Sequence, residues 1–163
     1  MATGTIILPV QAAKLPGTSP AVIDAAEGNW RLLFDDTTDE SCLWQFRMPA
    51  NYASGLVAKI QFSCASTQTG TLTAAFETAI MAVTPEDAAD IVTDSYDTVN
   101  AGTLVLANNQ TAGYLKEIGI TQTNADSVAA GDYFKFKLNR DVSADNVVGD
   151  LEVVAISLEY TTT

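Results

Sequence analysis

The sequence predicts an all-β fold, an eight-stranded β-sandwich of the jelly-roll type with an extended N-terminal arm. Three observations predict it. From Asn29 onward the chain alternates apolar and polar residues with period two. Polar, turn-forming stretches separate these runs. Most runs also have one apolar face, and a half-buried sheet must cover another.

Residues 1–28 stand apart from the rest of the chain. Pro9, Pro16 and Pro20 interrupt any long helix or central strand. Residues 14–20, KLPGTSP, read as a loop. Ile6, Ile7 and Leu8 suit one short strand. The segment is expected as an arm or a first edge strand, ordered on the body or on a neighbouring molecule. Residues 29–163 are expected as the sandwich domain.

The strands come in order along the chain. Trp30, Leu32 and Phe34 alternate with Arg31 and Leu33. Cys42, Trp44, Phe46 and Met48 alternate with Leu43, Gln45 and Arg47. Leu56, Ala58, Ile60, Phe62 and Cys64 alternate with Val57, Lys59, Gln61 and Ser63. In residues 71–83, Leu72, Ala74 and Phe76 keep a different spacing from Ile80, so a bulge or a helix ambiguity sits there. Residues 84–100 form a long acidic connection. Within it residues 85–90 suit one helical turn, with Thr84 as N-cap and carboxylates in the first turn.

A short strand is expected over residues 103–107. In residues 114–123, Leu115, Glu117, Gly119 and Thr121 oppose Lys116, Ile118, Ile120 and Gln122. Residues 124–132 read as a loop with room for a helical turn. The clearest alternation is YFKFKLNR, residues 133–140: Phe134, Phe136 and Leu138 face inward, Lys135, Lys137 and Asn139 outward. After a polar turn at 141–150, the last run places Val154, Ile156, Leu158 and Tyr160 on one face. An immunoglobulin-like sandwich is the alternative. Cys42 and Cys64, however, fall on what read as consecutive strands, without the Cys…Trp…Cys spacing of that fold.

The 163 residues suggest one domain, and 47% of them are hydrophobic, a globular composition. The formal net charge is −12, from 20 acidic and 8 basic residues. That argues against direct nucleic-acid binding, which needs a basic surface, and against anionic membranes. No apolar run approaches the length of a membrane span. No basic region precedes the short apolar run near the N-terminus, so export through a Sec-type signal is not expected.

The chain contains no histidine. The commonest general base and the commonest transition-metal ligand are therefore missing. Cys42 and Cys64 read as buried free thiols, although a bond between neighbouring strands stays open. Asp35, Asp36, Asp39 and Glu40 form the best metal candidate, in the stretch FDDTTDESCLWQFRMP. That loop lacks both a glycine and a D-x-D-x-D-G pattern, so it reads as a solvated turn. Glu77, Glu117, Glu152 and Glu159 read as exposed outer-face positions rather than a hydrolytic pair. No G-x-S-x-G or phosphate loop occurs. No catalytic, cofactor-binding or metal residue is assigned, and the chain is not expected to be an enzyme. Trp30, Trp44, Tyr52, Phe62, Tyr133 and Tyr160 could line a sugar platform but read first as core. Lys135 and Lys137 make a local basic spot that reads as edge-strand protection or as a docking contact.

Two segments resemble small virion proteins of tailed bacteriophages. One is FDDTTDESCLWQFRMPANY, residues 34–52; the other is DSVAAGDYFKFKLNRD, residues 126–141, followed by the closing strand. The similarity spans residues 34–160 and leaves out the N-terminal segment. It implies a jelly-roll protein on the outer surface of a phage capsid, a decoration or cement protein. Such a protein would bridge major capsid protein subunits, as a homo-oligomer, a trimer in that family. The alternative is a receptor- or carbohydrate-binding domain of a tail fibre or baseplate.

Overall fold

The computed structural model describes residues 2–107 and 109–163, and of Glu27 the backbone alone. Met1, which opens the expected arm, lies outside the described residues. Among these residues there are ten strands: β1 Thr3–Leu8, β2 Val22–Asp24, β3 Arg31–Phe34, β4 Ser41–Arg47, β5 Tyr52–Cys64, β6 Leu72–Val83, β7 Asn100–Leu106, β8 Lys116–Thr121, β9 Tyr133–Arg140 and β10 Leu151–Thr162. The eight from β3 onward are the eight read from alternation.

All strand pairs are antiparallel. One sheet runs β2-β3-β10-β5-β8, with β1 also on β10; the other runs β4-β9-β6-β7. Counted from β3, the first sheet holds the first, eighth, third and sixth strands, and the second holds the rest. The chain therefore crosses between sheets at almost every turn, the double Greek key of a jelly roll. The expected all-β, jelly-roll-type sandwich is the observed one.

Residues 2–28 are paired to this body. β1 lies along the second half of β10, from Thr3↔Thr161 to Leu8↔Ile156. β2 lies on β3, which in turn pairs with the first half of β10. Leu8, Val10 and Ala21 are buried in the core. The loop between β1 and β2 runs along the free edge of β4. Lys14 and Leu43 exchange backbone bonds of 2.7 and 3.0 Å, and the Ser41 N–H donates to the Ser19 carbonyl at 2.9 Å. Trp44 Nε1 donates to the Pro9 carbonyl at 2.9 Å. The prolines exclude helix here but permit an edge-covering strand and loop.

Two sequence readings change at β6 and β10. β6 is one strand without a register break. Its inward row is Leu72, Ala74, Phe76, Thr78, Ile80 and Ala82, and the polar Thr78 hid the period. Thr78 is buried, and its hydroxyl donates to Gln122 Oε1 at 2.8 Å. In β10, Val153 faces Phe62 while Ile156 faces Ile60, so two residues oppose the single Gln61. This β-bulge switches the inward row from Leu151 and Val153 to Ile156, Leu158 and Tyr160. Val154 thus leaves the face assigned to it.

Neither expected helical turn forms at 85–90 or 124–132, where backbone at φ +74 for Glu86, +50 for Asp126 and +53 for Ser127 stops a helix. Between the sheets, Phe76 meets Phe34 and Phe62 edge-on at 6.0 and 5.3 Å. Gly102 of β7 lies where a Cβ would strike the Ile120 side chain of β8, so only glycine lets the two sheets close at that corner.

Candidate functional site

The acidic stretch at residues 35–40 is a structural turn. The Thr37 N–H and hydroxyl both donate to Asp35 Oδ1. The Asp35 N–H donates to Glu40 Oε2 at 2.8 Å. The Gly149 N–H donates to Asp36 Oδ2 at 2.6 Å, and the Val142 N–H donates to Asp39 Oδ1 at 2.9 Å. Asp36 and Asp39 thereby sew the β3–β4 turn to residues 141–150. Among the described residues no group of three or more His, Cys, Asp or Glu side chains is placed to hold a metal.

Beneath that turn lies Arg140, 1% exposed. It donates to Asp145 Oδ1 and to the carbonyls of Phe34, Val147 and Gly149 at 2.8–2.9 Å. Cys42 and Cys64 are free, buried thiols, one in each sheet. Burial pushes both up, so neither forms a ready nucleophile.

The other sequence candidates divide between core and surface. Trp44, Tyr52, Phe62 and Tyr160 are buried, whereas Trp30 is 48% exposed and Tyr133 lies half-buried on an outer face. Glu152 is not an exposed position: at 9% exposure it accepts from Arg31 Nη1 at 2.7 Å and from the Ser63 hydroxyl at 2.9 Å. Glu117 accepts from Gln61 on the outer face of the six-stranded sheet. Lys135 and Lys137 are on β9, between β4 and β6, so edge protection does not explain them.

These lysines instead sit on the floor of a groove. The two segments that carry the phage resemblance contain β4 and β9, which pair from Ser41↔Asn139 to Arg47↔Tyr133. Their outward residues make the rows Gln45/Lys135, Leu43/Lys137 and Ser41/Asn139. The β1–β2 loop walls one side with Lys14, Thr18 and Ser19, and the β6–β7 loop walls the other with Ile91, Val92, Tyr96 and Val99. Six residue steps from Tyr133 to Asn139 span about 20 Å.

The groove has two parts. One, of about 410 Å³, is lined by Lys14, Gln45, Tyr96, Tyr133, Lys135 and apolar neighbours, with no carboxylate. Here the Tyr133 hydroxyl donates to Gln45 Oε1 at 3.2 Å. Lys135 Nζ donates to the Ile91 carbonyl at 2.7 Å and stands 5.7 Å from the Tyr133 ring centre. The other part, of about 370 Å³, combines Lys137 and Asn139 with Asp39 and Glu77. Burial first, then the Asp141 and Asp39 carboxylates, hold Glu77 above the usual carboxylate range.

The fold has relatives among solved structures. The chain is similar to the CBM35 from Cellvibrio japonicus Abf62, with a TM-score of 0.55 and 10% identity over 98% of this chain and 95% of that one. It also matches TmCBM27, a carbohydrate-binding module described for specific mannan recognition, with a TM-score of 0.42 and 11% identity over 98% and 86%. A third is the Family 16 Carbohydrate Binding Module-2, with a TM-score of 0.34 and 15% identity over 91% and 88%. No family model matches this chain, and neither does any curated protein.

Sequence reasoning found Lys135, Lys137 and Asn139 as outward residues, read Tyr133 first as core, and did not join them to Lys14, Gln45 or Tyr96. The joining depends on β4 pairing with β9 across a long stretch of chain, and on two loops folding over that pair. The alternation of Lys135, Lys137 and Asn139 along β9 was the signal of a surface in the sequence.

Proposed function

We propose that this chain is a non-catalytic carbohydrate-binding domain whose binding surface is the groove over β4 and β9. The observation that carries the reading is the groove itself. Its sheet floor carries Tyr133, Gln45, Lys135, Lys137 and Asn139, and Tyr96 stands on the loop that walls the Lys135 end. Aromatic faces pack on the apolar faces of sugar rings, while amide and ammonium groups meet their hydroxyls. The architecture, shared with the Cellvibrio japonicus carbohydrate-binding module, supports the reading at the level of fold. The missing histidine and the buried thiols favour binding without turnover. With the resemblance to phage virion proteins, the role becomes that of a receptor- or carbohydrate-binding domain of a tail fibre or baseplate. The test is binding of the labelled full chain to a glycan array. Saturable binding to a defined group of saccharides without their cleavage is expected. Binding to none, or hydrolysis of those bound, would refute the reading.

A second reading, capsid decoration, is favoured by the tip of the β6–β7 loop. There Val92 is 84% and Ile91 44% exposed, an apolar contact on an acidic loop. On this reading the chain, as a trimer, bridges major capsid protein subunits on the outside of the head. Many weak contacts repeated over a lattice would sum to firm binding. Undecorated shells of the phage mixed with the chain and imaged decide it: regular added density supports decoration, and bare shells refute it.

A further inference from the structure

We infer that the Lys14–Lys135 end of the groove takes an anionic sugar, one carrying a carboxylate or a sulfate. This rests on the carbohydrate-binding reading and names the ligand class of that same site. Of eight basic residues on a chain of net charge −12, four gather on or beside the outer face of the β4–β9 pair: Lys14, Arg47, Lys135 and Lys137. Arg31 and Arg140 are engaged in ion pairs elsewhere. The part of the groove between Lys14 and Lys135 has no carboxylate in its lining. Three of the five acidic residues of the overhanging loop turn to backbone instead. Asp90 accepts from the Val92 N–H, Asp94 from the Ser95 N–H and Asp97 from the Thr98 and Asp126 N–H groups.

Both ammoniums have donors to spare. The Lys14 backbone is fixed by its paired bonds to Leu43, and its side chain has no hydrogen bond or ion pair among the described residues. Lys135 uses one of its three donors on the Ile91 carbonyl and rests near the Tyr133 ring, which leaves donors for a ligand. The anchored Lys135 loses little freedom on binding, and both ammoniums can make charge-assisted bonds to an anion. A sugar ring between them would lie on Tyr133 and Tyr96, with Gln45 within reach of its hydroxyls. A neutral sugar over the same spot would desolvate both ammoniums without pairing them, which selects for the charged sugar.

The experiment uses the full chain and an array of matched pairs: polygalacturonate and its methyl ester, sialylated and desialylated oligosaccharides, sulfated and unsulfated galactans. Preference for the charged member is expected in at least one pair, and which pair separates carboxylate from sulfate. The Lys14→Gln/Lys135→Gln double variant should bind that member about tenfold or more weakly, with an unchanged melting temperature. The Lys14→Arg/Lys135→Arg variant, which keeps both charges, should retain most of the binding. Binding of the charged member should also weaken from about 0.01 M to about 1 M salt, as the screening length falls from ~30 to ~3 Å. Equal or tighter binding of the neutral members would overturn this inference and leave carbohydrate binding standing. Binding of no saccharide would overturn both. A Lys14→Gln single variant, altered only at an exposed side chain, covers the case in which the double variant misfolds: undiminished binding would count against the inference.

Discussion

Arg140 closes one end of the sandwich, and two residue-scale predictions start from groups like it. Its guanidinium and the Asp145 carboxylate are both 1% exposed, and three carbonyls complete the cradle. Nε finds no partner, so the cradle saturates only part of the side chain. Breaking a buried pair leaves an uncompensated charge, so Arg140→Met should destabilise the fold by about 3–5 kcal/mol in urea unfolding. A double change with Asp145→Asn should recover part of that loss.

Glu77 gives a pH prediction. Its folded value is raised, so its contribution to stability is full below the ordinary glutamate range, about pH 4.3. That contribution is lost as pH rises through the raised value. Glu77→Gln should therefore melt higher than the parent near neutrality and alike at about pH 4. A lower melting temperature at neutrality would mean that the ionised carboxylate makes a stabilising contact. Asp35, held low by its bonds from Thr37, works in the opposite sense: its stability is present above the ordinary aspartate range and lost as pH falls.

At the scale of elements, alternation alone placed β9 and β4, because their inward residues Phe134, Phe136, Leu138 and Trp44 are large and their neighbours polar. It failed at Thr78, where a buried hydroxyl satisfied by Gln122 stands in an apolar row, and at Val154, where a bulge changes the phase. Neither signal is local: one needs a partner 44 residues away and the other the register of β5. Prolines and a loop pattern could not say whether the first segment packs on its own body.

The structure gives that segment three tasks: it covers β10, it protects the β4 edge, and it supplies Lys14 to the groove. A chain starting at Asn29 should therefore melt well below the full chain and lose saccharide binding. An unchanged melt would mean that β1 and β2 add little to the fold. Gly4 supports the first task, because a Cβ there would overlap the Tyr160 ring. Close approach of β1 to β10 thus depends on a residue without a side chain.

At the scale of the whole molecule, the jelly roll brings distant segments to one face. β4 and β9 lie far apart in sequence, yet their pairing sets Gln45 beside Lys135 and Leu43 beside Lys137. The fold class was legible because every strand had to bury one face. The groove was not, because it arises from strand order and from two loops that meet only in three dimensions. The acidic turn that drew attention in the sequence serves as a seam at one end of the sandwich. The short motif YFKFKLNR supplies both the core and, on its other side, the floor of the site.

The central claim is that saccharide binds on the outer face of β4 and β9. Titration of the isotope-labelled chain with the best saccharide from the array, followed by amide chemical shifts, tests it most directly. Shifts should concentrate at Leu43, Gln45, Tyr133, Lys135 and Lys137 and in the β6–β7 loop around Tyr96. Shifts centred instead on the β3–β4 turn and residues 141–150, or none at all at saturating saccharide, would contradict the account.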